Sequence, residues 1–228
     1  MKTEIAYCFD ELTIDFDFVN KRLGYAEGPV PEPFASYLEM VWADCRQLID
    51  ICGAFHIRDT FEFSGTKSSF VTGGVEFKAG KTICKELQDA DKLAFFVCTA
   101  GKTISEKSSN LMKGEDVVLG YMYDIAGSAI AEAVGDRIQE TIARQVALSG
   151  SKITNRYSPG YCYWSVADQP KLFSFFGDKP SGVSLTESCL MSPVKSISGV
   201  IGIGKEVFYR DYQCDLCKLT NCVYKKTG

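Results

Sequence analysis

The chain has 228 residues, of which 46% are hydrophobic and 24% charged, with a formal net charge of −4. This is the balance of an ordinary soluble globular protein, long enough to bury roughly 70% of its extended surface without staples. The negative balance and the lack of a basic stripe argue against a nucleic-acid partner; no run of 18 uninterrupted apolar residues points to a membrane span, and Met1-Lys2-Thr3-Glu4 opens no secretion signal, so a cytoplasmic location is expected.

Residues 10–23 read as a short helix ending near Gly24, and Gly28-Pro29-Val30-Pro31-Glu32-Pro33 breaks the pattern. From Phe34 to Cys52 the apolar residues Leu38, Val41, Trp42, Cys45, Leu48, Ile49 and Cys52 recur at three- and four-residue steps. That spacing predicts an amphipathic helix closed by Gly53. Phe55, Ile57, Phe61 and Phe63 suggest extended segments, as does Val75-Glu76-Phe77. A short helix is expected over Lys81–Leu87. The continuous apolar run Lys92–Thr99, turned at Ala100-Gly101, reads as a buried strand.

Glu115 to about Ser149 reads as one long helix of about 45 Å, with Glu115 and Asp116 at its positive end and Gly150 at its stop. Ala126, Gly127, Ser128, Ala129, Ala131 and Ala133 make its middle thin-walled, open to close approach by a backbone or a ligand. A strand over Lys152–Arg156, a helix over Gln169–Phe176 and two strands over Val183–Met191 and Ser196–Ile203 complete the pattern. There is no internal repeat and no low-complexity linker. The expected organisation is one α+β domain over residues 1–210 with a cysteine-containing tail over 211–228.

The most informative stretch is Arg156-Tyr157-Ser158-Pro159-Gly160-Tyr161. A guanidinium fork suits a carboxylate, Pro159 fixes a bend, Gly160 permits close approach, and Tyr161 can cover a flat ring. Together they read as a clamp for a small zwitterion with an aromatic end. The plainer reading is a loop whose arginine meets a nearby acid.

These residues resemble the activation domain of cobalamin-dependent methionine synthase. Arg156–Tyr161 is similar to its AdoMet-binding signature, Ile130-Ala131-Glu132-Ala133 to its helical Ala-Glu-Ala segment, and Leu185-Thr186-Glu187-Ser188, Met191-Ser192-Pro193 and Ser196-Ile197-Ser198-Gly199 follow in the family's order. The expected architecture is a central, mainly antiparallel sheet flanked by long helices. The resemblance implies that Arg156 holds the methionyl carboxylate of S-adenosyl-L-methionine. It also implies that Ser158, Gly160 and Tyr161 line the nucleoside end, that Glu132 faces the clamp, and that Tyr209 takes the place of a family tyrosine. The plainer reading of Glu132 is a solvated residue or a partner of Arg137.

The implied function is reactivation of a partner's cobalt(II) corrinoid, in which methylation by AdoMet draws an uphill reduction forward. The partner is a corrinoid-binding protein or a methionine synthase lacking its own activation domain, and the electron donor a flavodoxin or ferredoxin. Two other functions stay open: an AdoMet-dependent methyltransferase or Fe–S redox protein with a non-corrinoid substrate, and a non-catalytic docking module.

Ten cysteines are many for a chain of this kind. Most, like Cys98, sit in apolar settings and read as core residues. Cys214, Cys217 and Cys222 are spaced as C-x2-C-x4-C, three thiolates for a Fe–S cluster or zinc, with Cys162, Cys189 or Cys8 as a fourth ligand; free thiols or a reversible disulfide are the alternative. Lys195 is expected to project to solvent. Gly199, Gly202 and Gly204 resemble a phosphate loop only superficially and are expected to mark a bulge or close packing within a strand. His56, the single histidine, is expected to have a core or surface role.

Overall fold

The computed structural model describes residues 2–25, 27–114 and 116–210. From the amino end, β1 (Lys2–Ala6), α1 (Phe16–Arg22) and α2 (Phe34–Cys45) lead to β2 (Cys52–Arg58). A small meander of β3 (Glu62–Phe63), β4 (Phe70–Thr72) and β5 (Val75–Phe77) precedes α3 (Gly80–Glu86) and β6 (Lys92–Thr99). Two antiparallel helices follow, α4 (Lys102–Lys113) and α5 (Val117–Ala147), then β7 (Lys152–Tyr157) and α6 (Gln169–Phe173). The hairpin of β8 (Ser184–Leu185) and β9 (Met191–Ser192) comes before the long last strand, β10 (Ser196–Gly204).

The central sheet has the order β1-β2-β6-β10-β7, and every neighbouring pair is antiparallel. This is the α+β architecture expected. β6 lies in the middle and is covered on both faces, which explains its unbroken apolar sequence. Ala94, Phe96 and Cys98 join the core under α5, while Leu93, Phe95 and Val97 join a second core with Phe77, Trp164 and Leu172. Strand alternation divides one run of residues between two cores.

α5 organises the helical layer. The Asp116 carboxylate accepts from the backbone N–H of Leu119 at 2.9 Å, capping the helix where acidic residues were expected. By length and composition α5 is apolar enough to cross a membrane, but 61% of its apolar window is buried within the protein, so it serves as the core helix. A glycine of β2 lets the helix come close: a Cβ on Gly53 would lie 2.4 Å from Ile138 Cδ1.

Several expected boundaries are corrected. The helix predicted over 34–52 stops at Cys45, because residues 52–58 are claimed by ladders with β1 and β6. Gly53 is thus a strand residue under α5, not a helix stop. The helix predicted over 10–23 is a single 3₁₀ turn at Phe9–Glu11, then α1 capped by Asp15. The strand predicted over 183–191 survives only at its ends as β8 and β9, with a turn from Thr186 to Leu190 between them. The helix over 169–176 ends at Phe173. α4 was not foreseen: its exposed face is polar, and it buries only Ile104 and Ser108 fully.

Candidate functional site

β7 carries Arg156 to the flank of α5. The guanidinium lies directly over Gly135, where an added Cβ would come within 2.2 Å of Nη1. Nη2 donates to Glu132 Oε2 at 3.2 Å and lies 2.9 Å from Asp136 Oδ1. The arginine side chain is 19% exposed, whereas those of Glu132 and Asp136 are 53% and 60% exposed. Nη1 is buried and has no hydrogen-bond partner. A buried donor left unsatisfied costs about 1–3 kcal/mol, more when charged. The site therefore holds a pre-positioned cation with unused donor capacity. The pairing with acids is the plainer reading of this arginine.

Electrostatics tie these groups together. The protein mass around Glu132 raises its carboxyl above the usual range; Arg156 opposes that and Asp136 adds to it. Beneath them lies Cys98, whose Sγ faces the Ala131 carbonyl at 3.8 Å. Burial pushes that thiol up to about 12, so it remains neutral, as a core cysteine should. Arg137 does not take Glu132; its Nη1 donates to Glu140 at 2.7 Å.

The loop after β7 is tightly folded. Tyr161 N–H donates to Ser158 O at 3.2 Å, Trp164 N–H to Tyr161 O at 2.9 Å, and Gly160 N–H to Trp164 O at 2.7 Å. Gly160 has φ +99°, and Cys162 and Tyr163 follow at +49° and +66°. Two successive non-glycine residues in that region cost roughly 1–3 kcal/mol each. The cost is sustained by an anchor: buried Trp164 donates its Nε1–H to Asp168 Oδ2 at 2.9 Å. Asp168 also accepts from Lys78 N–H at 2.8 Å and pairs with Lys171 at 2.6 Å. Burial would raise its carboxyl, but the bonds from Lys171, Trp164 and Lys78 outweigh it and hold the group below the usual carboxylate range. Tyr161 and Tyr163 stand 60% and 84% exposed at the rim.

Gly199 brings this loop onto β10; a Cβ there would lie 2.6 Å from Tyr157 O and 3.0 Å from Ser158 Oγ. Gly202 and Gly204 also sit in β10 against Leu87, Thr154 and Asp89, so the glycine series marks close packing. His56 Nδ1 lies 3.0 Å from Phe175 O, a structural role.

Lys195 is a correction. Only 12% of its side chain is exposed, and Nζ lies 2.7 Å from Asp124 Oδ1 and 3.0 Å from Ser128 Oγ. Its stem crosses α5 at Gly127, where a Cβ would stand 2.9 Å from Cγ. The thin wall of the helix admits the lysine and two polar residues of α5 pair with it, so it does not reach for solvent.

Tyr209 is 54% exposed. Its neighbour Arg210 is bound through its main chain to the Asn155 side chain, by N–H to Oδ1 at 2.9 Å and from Nδ2 to O at 2.6 Å. That ties the segment beside Arg156, but no hydrogen bond or ring contact joins Tyr209 to Arg156. Cys214, Cys217 and Cys222 lie outside the described residues. Among the described residues no group of three or more His, Cys, Asp or Glu side chains is placed to hold a metal, and Cys8, Cys162 and Cys189 belong to none.

Two site residues escaped the sequence reading. Asp136 stands four residues from Glu132 on the same helical face, and that spacing was the available signal. Gly135 makes room for a side chain 21 positions further on, which no local pattern announces.

The model of the vitamin B12-dependent methionine synthase activation domain matches residues 81–220, more than half of the chain. A crystal structure of the MetH reactivation domain bound to AdoHcy superimposes with a TM-score of 0.61 at 14% sequence identity, covering 92% of this chain and 80% of that one. At that identity the likeness speaks for the fold. No curated protein matches the chain.

Proposed function

Because this chain belongs to the vitamin B12-dependent methionine synthase activation-domain family, we propose that it binds AdoMet at the Arg156 clamp and supports reactivation of a cobalamin carried by a partner protein. The observation that carries this reading is the guanidinium seated on Gly135 with one nitrogen buried and unpartnered. A ligand carboxylate is the group that would satisfy it with charge-assisted bonds. Glu132 and Asp136 provide negative charge for the ligand's cationic part. Ser158, Gly160 and Tyr161 follow Arg156 directly in a folded loop whose backbone and exposed ring suit a nucleoside. Tyr209, on a segment bound to β7, stands as a further contact. The chain's residues thus fit the donor.

AdoMet supplies an electrophilic methyl group, and its transfer to cobalt is favourable enough to draw forward an otherwise uphill reduction. The chain's own task is to bind, orient and exclude water, for which positioning alone can contribute several kcal/mol. With a corrinoid metal as nucleophile and a neutral thioether as leaving group, no general base would be required of these residues. The partner we propose is a methionine synthase lacking its own activation domain or another corrinoid protein, with a flavodoxin or ferredoxin as reductant.

The test is calorimetric titration with AdoMet, followed by a cobalt spectral assay with candidate corrinoid proteins and a reductant. Arg156→Ala is expected to weaken AdoMet binding at least about tenfold, since a charged contact contributes about 1.5–3 kcal/mol. Unchanged affinity would remove Arg156 from the site. Methyl transfer without any corrinoid protein would favour an ordinary methyltransferase instead.

A further inference from the structure

We infer that the cleft between α3 and the turn joining β3 to β4 is a binding site for a small diphosphate-bearing anion, separate from the Arg156 clamp. The cleft has a volume of about 310 Å³, at the lower end of the range for ligand pockets. Lys67 from the turn and Lys81 and Lys85 from α3 line it together. No acidic side chain lines it, and among the described residues none of these three lysines takes part in an ion pair. A second cleft, at Lys107, carries its own counter-charge in Asp44. The three ammonium groups focus a positive field into one concavity of a chain whose net charge is −4. Buried Cys84, which also lines the cleft, belongs to the core on the face of the sheet away from α5, so the cleft and Arg156 lie on opposite sides.

The backbone holds the lysines together. Lys81 and Lys85 stand four residues apart on α3 and share a face, where like charges repel. Lys67 sits at φ +48°, a costly conformation for a residue with a Cβ, and its N–H donates to Ser64 O at 2.8 Å. The turn is tied to the start of α3 by Gly80 N–H, which donates to Ser68 O at 2.9 Å. Thr66 Oγ1 lies 3.2 Å from Ser64 Oγ and 2.7 Å from Ser68 Oγ. Two bonds among three hydroxyls leave one proton to donate outward. Burial pushes the Cys84 thiol up to about 11, so it stays neutral and does not repel an anion. Asp89 touches the lining through Gln88 Nε2 at 3.5 Å and through none of the lysines. Lysine acts as a compact point charge on phosphate oxygens, and three of them match a diphosphate better than a monoanion. The half-buried Phe63 ring forms part of the wall and offers a flat surface to an organic group carrying the phosphates. A concave lining suits such a ligand better than the broad face of an acidic protein.

The experiment is calorimetry on the full chain with sodium pyrophosphate and with ADP, at low ionic strength. Wild type is expected to bind both at one site, ADP about fivefold more tightly, the scale of stacking on one aromatic ring. Lys81→Gln and Lys85→Gln should each weaken both ligands about fivefold, as expected for one charge about 4 Å away in water. Both substitutions fall on the exposed face of α3, so melts should match wild type. Phe63→Leu should remove the advantage of ADP while pyrophosphate binds as before. Lys102→Gln, on α4, should change neither affinity, and saturating AdoMet should displace neither ligand. Absence of binding by both probes overturns the inference, as does an equal loss in Lys102→Gln, which would mark diffuse attraction, or displacement by AdoMet, which would place the anion at the clamp. Lysine-dependent binding of poly-L-glutamate without binding of either probe would make an acidic protein the occupant and overturn the small-ligand assignment. AdoMet affinity is unaffected in every one of these outcomes except displacement, so the function proposed above stands or falls separately.

Discussion

Replacing Gly135 by alanine adds one methyl group where the Arg156 guanidinium now rests. The new Cβ would lie 2.2 Å from Nη1 and 3.1 Å from Cζ, well inside contact distance, so something must move. The obstructing atoms are the far end of a flexible side chain, and the guanidinium will swing away before the helix bends. Two opposing terms set the stability. Alanine inside a helix gains up to about 1 kcal/mol over glycine. Loss of the contacts to Glu132 and Asp136 costs about as much, because both carboxylates are more than half exposed and screened. The net change should fall within about 1 kcal/mol, a shift of about 2–4 °C in Tm for a protein of this size. AdoMet affinity should nevertheless fall at least about tenfold, as the displaced arginine forfeits a charge-assisted contact. Thermal melts paired with calorimetry read both quantities on one preparation. Unchanged AdoMet affinity in a well-folded variant, or a collapse of Tm by tens of degrees, would refute the reasoning.

Other outcomes follow from the packing. Asp168→Asn should lower stability by about 2 kcal/mol, read from the urea midpoint, because Asp168 holds Trp164, Lys78 and Lys171 at once. Its folded carboxyl sits below the ordinary value, so its contribution is complete above about pH 4 and is lost as pH falls through the lower folded value. The acid limb of the wild-type stability curve should be shallower in the variant, and identical limbs would count against this anchor. Gly53→Ala should destabilise by about 1–3 kcal/mol, since its methyl would be wedged between Ile138 Cδ1 at 2.4 Å and Cys98 Cβ at 3.1 Å. A melt indistinguishable from wild type would show that α5 yields more readily than its packing indicates.

Local chemistry was legible where the signal was short-range. The continuous apolar run from Lys92 to Thr99, turned at Ala100-Gly101, read as a buried strand, and it lies at the centre of the sheet. Asp116 marked the start of α5 and Gly150 followed its end, because caps act within one turn. The same short range explains the misreading of residues 46–52. Their apolar spacing continued a helical pattern, but ladders with β1 and β6 outcompeted it, and Ile49 was left 93% exposed. Hydrophobic periodicity records which residues want burial and not which partner will bury them.

By itself the sequence determined the α+β class and the family to which the chain belongs. Each is written in contiguous residues or in their order along the chain. Only the tertiary structure decided that Arg156 rests on Gly135 between Glu132 and Asp136, and that Lys195 crosses Gly127 to reach Asp124. Those contacts join residues 20 or more positions apart, and they exist because a helix with small side chains lies flush across one face of the sheet. Close approach of two backbones is a property of packing, and it sets both the direction of a long cation and the acids that await it.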